Sequence, residues 1–424
     1  MSLREVYNRD IGILGMIIDM QQRGMPADAE YFRALSVEFQ SEMDNIAELV
    51  GTVAGVGYIN LASPTQVADL LYGKLKLNKL IPRFTGFSTD EDALNKIKHA
   101  HVAVPLVIRY RELGKLKGTY ADGLIEKLGG TTDGRIHTSI RTTRTATGRL
   151  SSANPNLQNA PIRSEDGRRI RMGFRFPEGS GRIFISGDYE QIELKTLAHV
   201  SRDAAMMEIY GRGEDIHAAT AAEMFQIPID KVDNMKHRYP AKRVNFGIPY
   251  GITGKGLYDQ FINESITAFS VADCDQFIQA WFKKYPGAKK WIDATRRFAR
   301  QNGYVEDLFG RRTLVPEVYS SQPRIVEEGL RQAQNAPIQG AAAGVIKEAM
   351  RQLIPVYRKF IADGVPCYPL LQIHDDLLFE TAEWAIPIIL PRIKEIMEHA
   401  VELSIPISVD FKWGAIWGEM RKVK

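Results

Sequence analysis

Apolar residues recur at helical spacing through the first part of the chain. Residues 10–25 carry them on one face and end near a glycine, which predicts one amphipathic helix, and residues 31–56 predict a second. Ser63 and Pro64 predict a helix start, because serine favours the N-cap and proline the first helical position. Helical spacing then continues over residues 64–121.

The pattern changes at Gly129, where a segment rich in Thr, Ser, Asn and Gly begins and carries short β-like runs. Residues 183–186 predict a strand, which is followed by a turn at Gly187 and by helical spacing from about Gln191. Residues 215–300 predict a run of helices.

The last part of the chain alternates between strands and helices. Its predicted elements are a hairpin over 303–316, a helix over 325–362, strands over 368–373 and 377–380, a helix over 385–402 and a strand near 407–411. Helices before, between and after a few antiparallel strands predict an α+β fold.

The composition is that of a globular protein, with 44% hydrophobic and 25% charged residues among 424. The net charge of +4 permits a polyanionic partner without requiring one. Cys274 and Cys367 belong to no metal or redox motif, so we expect packing roles in a reducing compartment. The chain shows neither a signal peptide nor a membrane-spanning run, and we expect a cytoplasmic protein.

The helical region between Gly73 and Tyr120 is locally basic, with ten Lys and Arg residues against four acids and a balance of +6. Its cations include Arg83, Lys115 and Lys117. A solvated helical face explains this count at least as well as a phosphate-binding surface, and both interpretations stay open.

Two aspartates stand in apolar strand contexts. Asp188 closely follows one predicted strand, and Asp375 lies with Asp376 between two others. Carboxylates at the end of a sheet suit Mg²⁺, and two converging ones would hold the pair of ions used in phosphoryl transfer. Two unrelated structural aspartates would produce the same pattern.

Arg238, Lys242, Phe246 and Tyr250 follow one another at four-residue steps. On a helix they would share one broad face, with the cations at one end and the aromatic rings at the other. Such a face suits a nucleoside triphosphate. A helix with a half-buried aromatic edge and surface cations is an equally good explanation.

These segments, taken in order, resemble family A DNA polymerases, the group of bacterial DNA polymerase I. The three motifs are DYEQIEL (188–194), R-x(3)-K-x(3)-F-G-x(2)-Y-G (238–251) and HDD (374–376). Further similar segments are INLASPTQV (59–67), STDEDAL (88–94), YRELGKLKGTY (110–120), TATGRLSSANPNLQN (145–159), EDIHAATAAEMF (214–225) and RQAQNAPIQGAAAGVIK (331–347). The resemblance covers nearly the whole chain.

The resemblance implies a right-hand polymerase fold with a helical thumb, a palm with an antiparallel sheet, and helical fingers. The implied boundaries are a palm-associated N-terminal helix (1–29), the thumb (30–125), the first part of the palm (126–205), the fingers (206–328) and the second part of the palm (329–424). The implied activity is template-directed addition of deoxynucleotides to a primer 3′-hydroxyl by a two-metal mechanism. We therefore expect a monomer that binds primer-template DNA and deoxynucleoside triphosphates.

The resemblance also implies roles for the matching residues. Two Mg²⁺ ions, which Mn²⁺ could replace, would be held by Asp188, Asp375 and the backbone carbonyl of Tyr189. The implied catalytic residues are Asp188, Asp375, Asp376 and Lys242, the last as proton donor to pyrophosphate. The implied nucleotide-binding residues are Arg238, Lys242, Phe246, Tyr250, Glu193, Gln191 and His217. The implied DNA-binding residues are Arg149, Gln339, Asn335, Arg331, His374, Lys115 and Lys117.

Glu193 would be the steric gate that excludes a ribose 2′-hydroxyl, and it argues against the alternative of a single-subunit RNA polymerase. A catalytically silent nucleic-acid-binding scaffold is the other alternative. The sequence departs from the family at Glu190, where a small polar residue is usual, and at Asp376, where glutamate is usual. Pro249 should bend the last helical turn near Tyr250.

The family pattern begins near residue 10, and we expect no 3′→5′ exonuclease activity from this chain. The measurement is incubation with an end-labelled primer that carries a 3′ mismatch, without nucleotides. We expect the primer to keep its length, and steady loss of its terminal nucleotide would contradict the prediction.

Overall fold

The structure is a computed structural model that describes residues 3–80, 88–162 and 164–423. The first elements are α1 (Leu3–Gly12), α2 (Leu14–Arg23), β1 (Met25–Pro26), α3 (Ala29–Val53), α4 (Pro64–Ala68), α5 (Glu91–Lys96), α6 (Ala103–Leu116) and α7 (Gly123–Gly129). The next are β2 (Arg135–Ile136), β3 (Ser139–Arg141), β4 (Ser151–Ala153), α8 (Glu165–Met172), β5 (Arg182–Tyr189), α9 (Ile192–Ser201), α10 (Ala204–Gly211) and α11 (Ile216–Phe225).

The second half continues with α12 (Tyr239–Gly247), α13 (Gly254–Asn263), α14 (Val271–Lys284), α15 (Pro286–Asn302), β6 (Tyr304–Glu306), β7 (Arg312–Leu314) and α16 (Pro323–Ala362). It ends with β8 (Cys367–Ile373), β9 (Asp376–Ala382), α17 (Ile386–His399), β10 (Val409–Gly414) and β11 (Arg421–Lys422). The predicted α+β class is confirmed.

The N-terminal helices follow the prediction with one difference. The single helix expected over residues 10–25 is two helices, because the chain turns briefly at Gly12 and the fully buried Ile13. The second of these helices, α2, ends at Arg23, and the next residue, Gly24, has a positive φ of 65°, which glycine adopts easily. Ser63 caps α4 as predicted and accepts a hydrogen bond from the backbone N–H of Gln66 at 3.4 Å.

The central element is a five-stranded antiparallel sheet in the order β11-β10-β5-β9-β8. The predicted turn at Gly187 is wrong, because this glycine lies inside β5 and pairs with Leu377 and Phe411. A Cβ at Gly187 would lie 2.8 Å from a ring carbon of Phe411. Glycine is required here by the close approach of that ring, and not by a turn.

A second hydrophobic core joins α9 to α15 and holds α12 in place. Buried Asn245 of α12 is its polar centre, because its side-chain oxygen accepts hydrogen bonds from Trp281 Nε1 at 2.7 Å and from Thr220 Oγ1 at 3.1 Å. These bonds satisfy polar groups that would be costly to bury alone, and they fix α12 against α11 and α14.

The remaining sequence predictions agree with the structure in most respects. The hairpin over 303–316 is β6 and β7, and the long helix over 325–362 is α16. The two-residue strand β11 was not predicted, because so short a segment carries no periodicity. Arg83 lies outside the described residues, and among the residues described no helix is long and apolar enough to cross a membrane.

Candidate active site

The sheet brings the predicted catalytic aspartates together. Asp188 of β5 is paired directly with Asp376 of β9, and Asp375 precedes Asp376 in the turn between β8 and β9. The backbone N–H of Tyr189 donates to the carbonyl of Asp375 at 3.1 Å, which closes the contact between strand and turn. Two segments almost 190 residues apart in sequence therefore meet at one end of the sheet.

The three carboxylates are partly buried and close enough for their charges to act on one another. Burial raises the pKa of Asp188 to about 7, with further contributions from the charges of Asp375 and Asp376. Burial also raises the pKa of Asp375, and it raises that of Asp376 to about 6. Neither Asp188 nor Asp375 forms an ion pair with any described cation. The chemistry of this donor set suits a divalent cation.

The described side chains alone do not form a complete metal-binding group here. In the described part of the chain, no three acidic, His or Cys side chains converge as a group able to hold a metal ion. Two carboxylates whose remaining ligands come from water and substrate phosphates are the usual arrangement for Mg²⁺. The proposed carbonyl ligand at Tyr189 stays a prediction, and its ring is buried with the hydroxyl bonded to Met397.

Asp376 differs from its neighbours in having a protein partner. The hydroxyl of Ser186 reaches its two carboxylate oxygens at 2.6 and 2.7 Å. Ser186 lies two residues before Asp188, and alternation along the strand places both side chains on the same face as Asp376. This geometry gives Asp376 a supporting place beside the Asp188 carboxylate, and its catalytic role stays a prediction.

Glu190, the other departure from the family pattern, is held by a hydroxyl group. Glu190 accepts a hydrogen bond from the hydroxyl of Ser408 at 2.7 Å and is otherwise exposed. Buried Lys195 donates to the same hydroxyl at 2.6 Å. Glu190 is thus held by the segment before β10. His374 occupies the hairpin turn with a φ of 55°, which directs the turn that carries Asp375.

The predicted nucleotide-binding helix has three parts. A π-helical turn over Asn234–Arg238 leads into α12, and a 3₁₀ turn over Ile248–Tyr250 follows it. Pro249 therefore bends the last turn, as predicted. The amide of Gln334 donates to the carbonyls of Ile248 at 2.9 Å and Pro249 at 3.2 Å, so the bend is held by α16.

The cationic end of this helix is paired with an acid that sequence reasoning missed. The Nε of Arg238 donates to Asp215 at 2.5 Å, and Asp215 also caps α11 through the backbone N–H of His217 at 2.8 Å. Asp215 has the position of an N-cap before an apolar helix, which is a detectable signal. Lys242 lies 6.0 Å from the ring centre of Phe246.

His217 is more deeply buried than we expected for a residue that contacts a nucleotide. It is 2% exposed, its Nδ1 bonds Asn245 at 2.9 Å, and its ring lies 5.6 Å from that of Phe246. Burial lowers its pKa to about 4, so the ring is neutral at physiological pH. Its direct role at the nucleotide stays a prediction, while the structure shows it supporting Phe246.

Four predicted site residues from distant segments form one chain of contacts. Glu193 pairs with Arg149 and accepts a hydrogen bond from the hydroxyl of Tyr250 at 3.1 Å. The same hydroxyl accepts a hydrogen bond from the amide of Gln339 at 2.9 Å. The predicted steric gate is thereby joined to two predicted DNA-binding residues, and its carboxylate is oriented by Arg149 and Tyr250.

Three other predicted site residues differ in their surroundings. The side chain of Arg331 lies against Gly251, where a Cβ would be 2.6 Å from its Cγ. The side-chain oxygen of Asn335 is buried and has no hydrogen-bond partner among the described residues. Gln191 accepts a hydrogen bond from the hydroxyl of Tyr210 at 3.0 Å, which directs its side chain toward α10.

Two cations of the basic helical region form ion pairs within the protein. Lys117 pairs with Asp122 at 2.7 Å, and Arg109 pairs with Glu42 and Asp166. The charge count therefore overstates the cations available for DNA. The DNA-binding roles of Lys115 and Lys117 stay predictions, and Lys117 would have to leave Asp122.

One further set of charges near Asp188 was missed. Asp410 of β10 is paired directly with Asp188, so Asp410, Asp188 and Asp376 form a row across three strands. Lys422 binds Asp410 at 2.7 Å, and Lys412 faces Ser186. The predicted last strand contained Asp410, but register across a sheet is not visible in a single segment.

Comparisons with known proteins agree with this geometry. The model of the family described as DNA polymerase family A matches residues 29–419. The chain belongs to DNA polymerase family A. The predicted fold class of thumb, palm and fingers is thus confirmed, whereas the individual domain boundaries stay predictions.

Two curated relatives are longer than the region that matches this chain. The chain is 37% identical over 406 residues to DNA polymerase I of Geobacillus stearothermophilus, covering 96% of this chain and 45% of that protein. It is 39% identical over 409 residues to DNA polymerase I of Deinococcus radiodurans, covering 96% and 41%. The chain therefore spans about half the length of the curated relatives it matches.

A solved structure of the family is similar over nearly the whole chain. It is the POL domain of Pol1 from M. smegmatis in complex with DNA primer-template and dNTP. The TM-score is 0.86 at 35% identity, and the match covers 96% of this chain and 70% of the other.

The raised pKa of Asp188 predicts a pH-dependent stability in metal-free buffer. The folded protein keeps this proton up to about pH 7, whereas an unfolded aspartate releases it near its model value of 3.8. The free energy of unfolding should therefore fall as pH rises through that interval. Asp188→Asn should raise it at pH 8 by on the order of 2 kcal/mol, after allowance for solvent screening.

Thermal unfolding of wild type and Asp188→Asn at pH 5 and pH 8, in EDTA and in Mg²⁺, measures this. The exposed Asp92→Asn is the control, with no such gain expected. Equal melting temperatures of wild type and Asp188→Asn at pH 8 in EDTA would contradict the burial argument.

Proposed function

We propose that this chain is the polymerase domain of a DNA-directed DNA polymerase, which extends a primer 3′-hydroxyl with deoxynucleotides on a DNA template. One observation carries the proposal: the carboxylates of Asp188 and Asp375 lie near one another at the end of the sheet, without an ion-pair partner among the described residues, and the charge of Glu193 acts on Asp375. Carboxylates at a sheet end beside a cationic helix suit metal-assisted phosphoryl transfer.

Asp188 and Asp375 would hold two Mg²⁺ ions, which Mn²⁺ could replace. When bound, these ions would lower the pKa of the primer hydroxyl and neutralise the triphosphate. Asp376, bonded to Ser186, would keep the Asp188 carboxylate turned toward the cleft. The raised pKa of Asp188 favours this use, because a cation restores the charged form that burial disfavours.

The triphosphate would bind along the cationic end of the helix. Arg238 would exchange its contact with Asp215 for phosphate oxygens, so that its charge remains paired in both states. Lys242 would bind the same group and donate a proton to the pyrophosphate leaving group. Phe246 and Tyr250 would pack against the base and sugar.

Glu193 would select deoxyribose. Arg149 and Tyr250 hold its carboxylate in one orientation, and a side chain held in this way leaves no room for a 2′-hydroxyl beneath the sugar. The family membership and this residue together favour a DNA polymerase over the RNA polymerase alternative.

The DNA would lie across the same cleft. Arg149 and Gln339 would contact minor-groove acceptors at the primer terminus, whose positions vary little among correct pairs. The buried, unpartnered oxygen of Asn335 favours a polar ligand there, such as a donor on the template strand. Arg331 would bind the backbone and His374 the primer end.

The primary test is Asp375→Asn. We expect primer extension to fall by about a thousandfold, because one carboxylate of the metal pair is lost. Binding of primer-template, measured by fluorescence anisotropy, should stay near the wild-type value. This outcome would also exclude a catalytically silent scaffold.

Asp410→Asn is the matched control, since Asp410 lies on the same face of the sheet but is already paired with Lys422. It should retain most of the activity. Robust synthesis by Asp375→Asn would overturn the proposed metal pair.

Glu193→Ala should relax sugar selection. We expect the ratio of kcat/KM for deoxynucleotides over ribonucleotides to fall roughly tenfold or more, because a steric contact with the 2′-hydroxyl is removed. Single-nucleotide extension with each substrate measures the ratio. Glu190→Gln is the matched control, because Glu190 is bonded to Ser408 and should leave selection unchanged. An unaltered ratio in Glu193→Ala would refute the gate.

A further inference from the structure

A buried ion cluster joins the first helix to the centre of the molecule. Lys347 of α16 is 3% exposed and donates to Asp10 of α1 at 2.7 Å. Arg311, in the loop between β6 and β7, pairs with the other carboxylate oxygen of Asp10. One acid thus neutralises two cations from separate elements, and a buried lysine would be costly without it.

Hydrogen bonds within the loop between β6 and β7 fix the position of Arg311. The carboxylate of Asp307 accepts hydrogen bonds from the backbone N–H groups of Phe309 at 2.8 Å and of Arg311 at 3.0 Å. The ring of Phe309 occupies the space that a side chain at Gly344 of α16 would need. The loop is therefore clamped against α16 as well as against α1.

The guanidinium of Arg311 lies against Gly148, the residue before Arg149. Gly148 has a φ of 76°, and a Cβ at Gly148 would collide with the guanidinium of Arg311. The same segment is tied from the hairpin by Thr313, whose hydroxyl donates to the carbonyl of Ala146 at 3.1 Å. The segment over residues 145–149 is thus supported by the hairpin directly beside Arg149.

We propose that Asp10 is a positioning residue for Arg149. Asp10 holds Arg311 against Gly148, and this contact fixes the segment that presents Arg149 to Glu193. The first helix would thereby set the placement of a residue that contacts the primer terminus and orients the sugar gate. The catalytic readout rests on the proposed function, whereas the structural readout below does not.

The matched control is Asp19 of α2. It makes a similar connection, because its carboxylate accepts hydrogen bonds from Tyr357 at 2.5 Å and from Arg358 at 3.0 Å, both on α16. These contacts do not reach the segment over residues 145–149. Asp10→Asn and Asp19→Asn should both lower the melting temperature, so stability alone does not separate them.

Hydrogen exchange of the intact chain is the first measurement. Asp10→Asn should speed exchange of backbone amides over residues 145–149, and Asp19→Asn should not. Arg311→Lys, which keeps the charge but not the planar contact with Gly148, should act like Asp10→Asn and replaces it if that variant does not fold. Unchanged exchange in the folded variants would overturn the proposal, whether or not the chain makes DNA.

Steady-state extension is the second measurement. Asp10→Asn should raise KM for the deoxynucleotide about fivefold and weaken the preference for a matched primer end, with a smaller change in kcat. In the Arg149→Ala background, Asp10→Asn should add almost nothing to either effect, because it acts through Arg149. Fully additive effects would reject the assignment. Absence of synthesis by the wild type would instead reject the proposed function and leave the exchange result to decide the positioning role.

Discussion

Three partly buried carboxylates lie near one another where β5 meets the turn before β9, and their mutual repulsion is the constraint on which the surrounding structure depends. Asp376 is satisfied by Ser186, whereas Asp188 and Asp375 have no cation partner among the described residues. The sheet holds them in place because Phe411 packs onto Gly187 within β5. Under the proposed function, a bound cation would relieve this unfavourable concentration of negative charge.

Unlike Asp188 and Asp375, two arginines predicted to bind substrate each form an ion pair within the protein. Arg238 is paired with Asp215, and Arg149 with Glu193, before any substrate is present. Under the proposed function, substrate binding would exchange one anionic partner for another and would expose no lone charge, which keeps the desolvation penalty small. The helix proposed to bind the nucleotide is held in place by the buried amide of Gln334 and by Asn245.

The site residues that the sequence revealed share one property: each belongs to a compact motif whose spacing carries its chemistry. Asp188, Asp375 and the residues of the helix face were found in this way, and the structure connects Tyr250 of that face to Glu193, whose charge acts on Asp375. The contacts of Asp215 with Arg238 and of Gln334 with Ile248 were missed because each joins residues that are far apart in the sequence. Asp410 was missed because pairing across strands depends on register.

The sequence by itself determined the element types, the α+β class and the chemical groups available, because periodicity and motif spacing are local properties. Only the tertiary structure decided which charges are paired, and it changed the interpretation of single residues. Gly187 became a packing position and Lys117 an internal ion pair, while Asp10 became a support for a distant loop. The physical reason is that burial and electrostatic pairing depend on distances between segments that only the folded chain brings together.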